Sequence, residues 1–218
     1  LHSTIAQTKP DLVVFSSQLM ETAAALLEVA RYLEGVHVPL AYGGYIFSIL
    51  PELRNRIPGH FLGYELNKVP QIIENLILIR PQIPSAISPT EEYQAALPYF
   101  RERSGRVEAM VWQLMDQPLK DDGHIADANR YLTHHIIAAL KLGDLNFIGS
   151  GLHWLEGMMI NYNIPPESLQ RFLSAYSEAA GNELDGEEGQ IIIDWLRQVV
   201  EISLDSTEHF NQIRPAVA

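Results

Sequence analysis

Short continuous apolar runs alternate with helical patterns over the first 80 residues, and helical patterns alone follow. Lys9-Pro10-Asp11 reads as a turn, and Leu12-Val13-Val14-Phe15 after it is a run suited to a strand buried on both faces. From Leu19 to Leu33 the apolar residues fall at 19, 23, 26, 27, 30 and 33, which is helical spacing, and Gly35 stands where a helix ends. Val38–Tyr42 predicts a second strand stopped by Gly43-Gly44. A short helix is expected from Pro51, and a third strand over His60–Gly63. Val69, Ile72, Ile73, Leu76 and Ile77 mark an amphipathic helix. The order β-α-β-(α)-β-α predicts a parallel sheet with helical crossovers.

Residues 81–90 hold three prolines and two serines and predict an extended linker. Beyond it, helices are expected over 90–117, 123–142, 144–162, 166–182 and 187–204, with Pro98 kinking or splitting the first. Gly143-Asp144 predicts a helix stop followed by an N-cap. Pro165-Pro166-Glu167 opens the fourth helix with proline in the first turn. The expected organisation is a partial α/β domain over 1–80, a linker over 81–90, a helical domain over 91–205 and a frayed tail over 206–218. The fold class is thus α/β then all-α: three parallel strands, then a helical bundle.

Charge and composition narrow the function. There are 15 Lys+Arg against 27 Asp+Glu, a net charge of −12, which argues against direct nucleic-acid contact by this chain. With no cysteine, disulfides, thiolate metal sites and thioether-linked haem or bilin are excluded. No apolar run approaches the ~20 residues of a membrane span, so a cytoplasmic protein is expected. The chain starts at Leu1 rather than Met, which suggests a fragment or a processed product.

Two loops carry the candidate chemistry. Ser16-Ser17-Gln18 ends the first strand, where its hydroxyl and amide groups either meet a ligand or cap the following helix. Gly43-Gly44 ends the second, where glycine either admits a ligand close to the backbone or makes a tight turn. Adjacent parallel strands would set these loops side by side at the carboxyl edge of the sheet.

His135 lies beside a face made by Ala128, Leu132, Ile136 and Ala139. It is either a packed structural histidine or a ligand to a tetrapyrrole. His134 points elsewhere, His124 and Asp127 lack a third metal ligand, His153 falls on a polar face, and His60 sits within the third strand. Trp112, Met115, Trp154, Met158, Met159 and Trp195 read as core, and Glu187-Glu188 as a solvated turn. Nucleotide-loop, zinc-protease and nucleophile-elbow motifs are absent from the sequence, so an enzyme is not expected.

The stretch Asp11–Leu66 resembles the second half of a cobalamin (vitamin B12)-binding domain, closest in wording to MerR-type transcriptional regulators, some of them light sensors. The carrying residues are Asp11-Leu-Val-Val-Phe-Ser-Ser-Gln18, Val38-Pro-Leu-Ala-Tyr-Gly-Gly-Tyr-Ile-Phe47, Pro51-Glu-Leu-Arg54 and Ile57-Pro-Gly-His-Phe-Leu-Gly63. The helical part resembles the same regulators around Trp112, Ala128–Leu132, Leu142–Asp144 and Trp154–Gly157. The resemblance implies a flavodoxin-like fold in which Ser16, Gln18, Gly43 and Gly44 line the pocket for the cobalamin tail. Gln18 stands where the family has leucine. The family's Asp-x-His-x-x-Gly motif, which supplies the axial histidine, is not in this chain. The first strand and helix, the helical cap and the DNA-binding helices lie, in the family, ahead of the matching position.

The expected function is therefore the C-terminal sensory portion of a cobalamin-dependent, light-responsive or ligand-responsive regulator. It would act as a homo-oligomer joined to N-terminal cap and DNA-binding segments. Two alternatives stand beside it. One is a photosensor module binding haem or a bilin through His135. The other is a ligand-free helical dimerisation or partner-binding domain.

Overall fold

The computed structural model describes residues 1–115, 122–149 and 166–213. His153, Trp154, Met158, Met159, Pro165 and most of the helix expected over 144–162 lie outside the described residues, as does the side chain of His124. The chain divides into two compact units, Leu1–Ser88 and Pro89–Ala218. The division falls inside the Pro-rich segment.

The first unit is α/β. Helix α1 (His2–Thr8) precedes β1 (Val13–Ser16), α2 (Met20–Gly35) and β2 (Leu40–Gly43). Then come α3 (Ile46–Ile49), a 3₁₀ turn (Pro51–Arg56), β3 (His60–Phe61) and α4 (Val69–Ile79). The strands form one parallel sheet in the order β1-β2-β3, with Val13 beside Leu40, Ser16 beside Gly43 and Ala41 beside His60. β2 is central and fully buried through Leu40, Ala41 and Tyr42. β1 alternates half-buried and exposed residues. It was expected to be buried on both faces, but its residues are half-buried or exposed, and among the described residues it is an edge strand paired with β2.

Helix α2 buries the stripe read from its spacing, including Ala23, Leu26, Leu27, Ala30 and Leu33. It ends at Gly35 as expected, although that glycine is not in the left-handed conformation of a glycine cap. The left-handed position falls two residues later on His37, at φ 58°. Helix α1 has one buried anchor, Ile5, and Tyr32 of α2 meets His2 Nδ1 at 2.7 Å. A single anchor leaves too little periodicity to be seen in the sequence.

The link from β2 to β3 is compact. The Tyr42 hydroxyl donates to the carbonyl of Arg54 at 3.1 Å and reaches that of Ile57 at 3.4 Å. Tyr42 also packs against Phe47, with ring centroids 4.8 Å apart. Burial pushes its pKa up to about 12.

The second unit is helical: α5 (Glu91–Leu114), α6 (Asp122–Leu142), a 3₁₀ turn (Leu145–Ile148), α7 (Pro166–Glu183) and α8 (Glu187–Ile213). Helix α5 packs against α6, α7 and α8. The core joins Phe100, Val107 and Val111 of α5 with Leu132 and Ile136 of α6, Phe172 and Tyr176 of α7, and Ile192 and Leu196 of α8. Pro98 neither splits nor ends α5; packing on three neighbours outweighs one lost backbone bond. Gly143 takes φ 81° and donates to Ala139 O, and the Asp144 carboxylate accepts from Asn146 N, as the stop-and-cap reading requires. Helix α8 continues to Ile213, past the expected start of the tail, because no glycine or proline interrupts the chain between Asp205 and Pro215. Trp112, expected in the core, is 42% exposed on α5.

Candidate functional site

The parallel register brings the two candidate loops together. Ser16 is the partner of Gly43, and Ser17 N donates to Gly43 O at 2.9 Å. The tips are closer still at Gly44. A Cβ there would lie 2.1 Å from Ser17 O and 2.7 Å from Ser17 N, and φ is +115°. Glycine is therefore required by the neighbouring backbone itself. Gly43 is different, since a Cβ there would meet only Leu62 Cβ at 3.9 Å.

Ser16, Ser17 and Gln18 do not cap α2. Thr22 Oγ1 instead accepts from Leu19 N at 3.2 Å and donates to Leu19 O at 2.7 Å. Ser17 is buried, whereas Ser16 and Gln18 are exposed. Gln18 Nε2 donates to Ser16 Oγ at 3.0 Å, and Gln18 Oε1 accepts from Tyr45 N at 3.3 Å. The Gln18 amide thus ties the β1 tip to the start of α3. Tyr45 itself is 64% exposed beside these groups. Sequence reading missed Tyr45; its place directly after a strand-ending glycine pair was the available signal. Chemically, the edge offers a hydroxyl, a carboxamide and an aromatic ring, which suits hydrogen bonding and stacking to a polar or planar group.

This unit also leaves much apolar surface open. Among the described residues, twelve of the thirteen exposed large hydrophobics lie between Leu1 and Ile87. Helix α4 is apolar at seven positions besides its proline yet has no buried residue. Leu66 just before it, and Leu78 and Ile79 at its end, are 87%, 80% and 72% exposed. Arg80 closes α4 and donates to Asp11 at 2.8 Å, so the helix ends beside the base of the edge strand β1.

The remaining candidates stand apart. His135 is buried on α6. Its Nδ1 meets Tyr131 O at 3.0 Å and its ring lies 3.8 Å from that of Tyr131, which is the setting of a packed histidine. Ala128, Leu132, Ile136 and Ala139 beside it are buried as expected, and His134 is exposed. Burial lowers the pKa of His60 on β3. Glu187 and Glu188 are exposed and lie in the first turn of α8 rather than in a turn. Among the described residues no group of three or more His, Asp or Glu could hold a metal ion. No helix among them is long and apolar enough to cross a membrane.

A second polar constellation, absent from the sequence reading, crosses the helical unit. Thr133 Oγ1 and the fully buried Tyr176 hydroxyl share a bond of 2.8 Å. Asn129, one turn before Thr133, donates to Glu108 O at 3.0 Å while its buried Oδ1 has no hydrogen-bond partner among the described residues. Asn129 and Thr133 interrupt an apolar stripe at helical spacing, which was the signal to notice. No family model matches the chain, and no curated protein matches it.

Proposed function

We propose that the chain is the C-terminal sensory portion of a cobalamin-dependent transcriptional regulator, a sensor rather than an enzyme. The observation that carries this reading is the carboxyl edge of the parallel sheet. There the Ser16-Ser17-Gln18 tip lies against the Gly43-Gly44 tip, on an edge strand with one neighbour among the described residues. In open α/β sheets, ligands bind at this edge.

The residues present fit part of the group. Ser16 and Gln18 would hydrogen-bond the polar tail of the corrinoid, and Gly44 would keep the two tips in register. The axial histidine would come from a preceding segment, along with the DNA-binding helices and the cap. Cobalamin, when bound, would supply the light- or ligand-sensitive chemistry. This chain's part is to favour one arrangement of polypeptide over another. Moving a population from 1:99 to 99:1 takes a differential affinity of about 10⁴.

The exposed apolar residues of the first unit support completion by further polypeptide. An unpaired apolar edge strand is a template for association. The test mixes protein that includes the segment encoded upstream of Leu1 with hydroxo-, methyl- and adenosylcobalamin in the dark. Co-elution on gel filtration with an altered visible spectrum is expected, and Ser16→Ala/Gln18→Ala should weaken it. An unchanged spectrum without co-elution overturns the cobalamin reading and leaves the ligand-free partner-binding domain as its successor.

A further inference from the structure

The helical unit carries a cleft that the cobalamin reading does not use. It has a volume of about 220 Å³ and lies among the start of α5, the 3₁₀ turn after α6 and the N-terminal half of α8. Leu145 and Trp195 form a buried floor, with Tyr93 and Ile191 half-buried above it. The exposed rim consists of Glu92, Asn146, Asp194 and Gln198.

The charges here are one-sided. Glu92 and Asp194 are carboxylates, Asn146 and Gln198 are amides, and no lysine or arginine is among the described residues that line the cleft. The Arg197 guanidinium meets Asp194 at 3.3 Å, with both side chains more than half exposed. Gln190 also donates to Asp194, at 2.7 Å. The Tyr93 hydroxyl accepts from Leu145 N at 3.2 Å, which fixes that ring at the wall.

Carboxylates above an aromatic and aliphatic floor match a positively charged head on a short apolar stem. Aromatic rings attract cations, and the net charge of −12 raises the local cation concentration. The volume is below the roughly 300 Å³ at which pockets for drug-sized ligands begin, so the ligand is small. We propose that this cleft, formed by Glu92, Tyr93, Asn146, Asp194 and Trp195, binds a small organic cation of the alkylammonium class.

The geometry separates the roles of its charges. Glu92 and Asp194 attract the ligand, whereas Arg197 competes with it for Asp194. Removing the carboxylates and removing the guanidinium must therefore act in opposite directions.

The probe is n-butylammonium chloride titrated into the intact chain at constant ionic strength, read by tryptophan fluorescence, with Trp195→Phe used to assign the signal. A saturable change is expected, absent with 1-butanol and with sodium chloride. Glu92→Gln/Asp194→Asn should raise Kd about tenfold or more, and Arg197→Gln should lower it a few-fold. The same response to 1-butanol or to salt overturns the proposal. So does an unchanged Kd in the folded double variant, or weaker binding in Arg197→Gln. If circular dichroism shows the double variant unfolded, Glu92→Gln and Arg197→Gln alone decide, through their opposite signs.

Discussion

Replacing Gly44 by alanine tests the contact on which the candidate site depends. The new Cβ would sit 2.1 Å from Ser17 O and 2.8 Å from Ser17 C, both backbone atoms that cannot rotate away. The residue would also be held at φ +115°, where a side chain costs about 1–3 kcal/mol. Relief requires the tips to part, which breaks the Ser17 N to Gly43 O bond, a further loss of about 1 kcal/mol. Reduced freedom of the unfolded chain offsets about 0.4–1 kcal/mol. The net expectation is a loss of about 2–3 kcal/mol from the first unit. At about 4–8 °C per kcal/mol for a domain of this size, its Tm falls by roughly 10–20 °C. The control is Gly43→Ala, whose Cβ meets only Leu62 Cβ at 3.9 Å and should change stability by less than about 0.5 kcal/mol. Urea unfolding followed by far-UV circular dichroism, with hydrogen exchange of the β1 and β2 amides, measures both. Equal stabilities for the two variants would refute the account of how the strand tips meet.

Other outcomes follow from the same structure. Thr133→Val strands the buried Tyr176 hydroxyl and should cost about 1–3 kcal/mol; Thr133→Val/Tyr176→Phe should cost less than the sum of the single changes in a denaturation cycle. His60 has a pKa lowered by burial, so the unfolded chain binds more protons. Its contribution to stability is present above the ordinary value of 6.5 and is lost as pH falls through the lower folded value. The fall in Tm of the first unit below that pH should flatten in His60→Gln. Leu78→Lys/Ile79→Lys should leave Tm nearly unchanged, because both side chains are exposed, yet reduce self-association in sedimentation velocity. A lower Tm with unaltered sedimentation would contradict that.

Continuous apolar runs betrayed β1 and β2, because a central parallel strand such as Leu40–Gly43 must be apolar on both faces. Strand ends moved by one or two residues, since alternation carries no information about where pairing stops. Leu169, Phe172, Leu173, Tyr176 and Ala180 fall at helical spacing along α7, and all five are buried. What escaped was settled by partners distant in sequence. Trp112 is apolar and on a helix, but no periodicity says that its particular side faces solvent. The adjacency of Ser16 and Gly43 was legible from strand order, whereas Gln18 reaching Tyr45 depends on a side-chain angle. Glu92 and Asp194 lie 102 positions apart (194 − 92) and share a cleft only through the packing of α5 and α8.

The Tyr42 phenol has a wider meaning for how this small sheet is wired. Its hydroxyl fastens the carbonyls of both Arg54 and Ile57, in the short 3₁₀ link that joins β2 to β3 where larger sheets have a long crossover helix. A single aromatic side chain thereby acts as the keystone of an abbreviated connection. Insertions ahead of Arg54 would be absorbed poorly, whereas the chain after β3, beyond that ring's grasp, is the natural place for this scaffold to accept extra length.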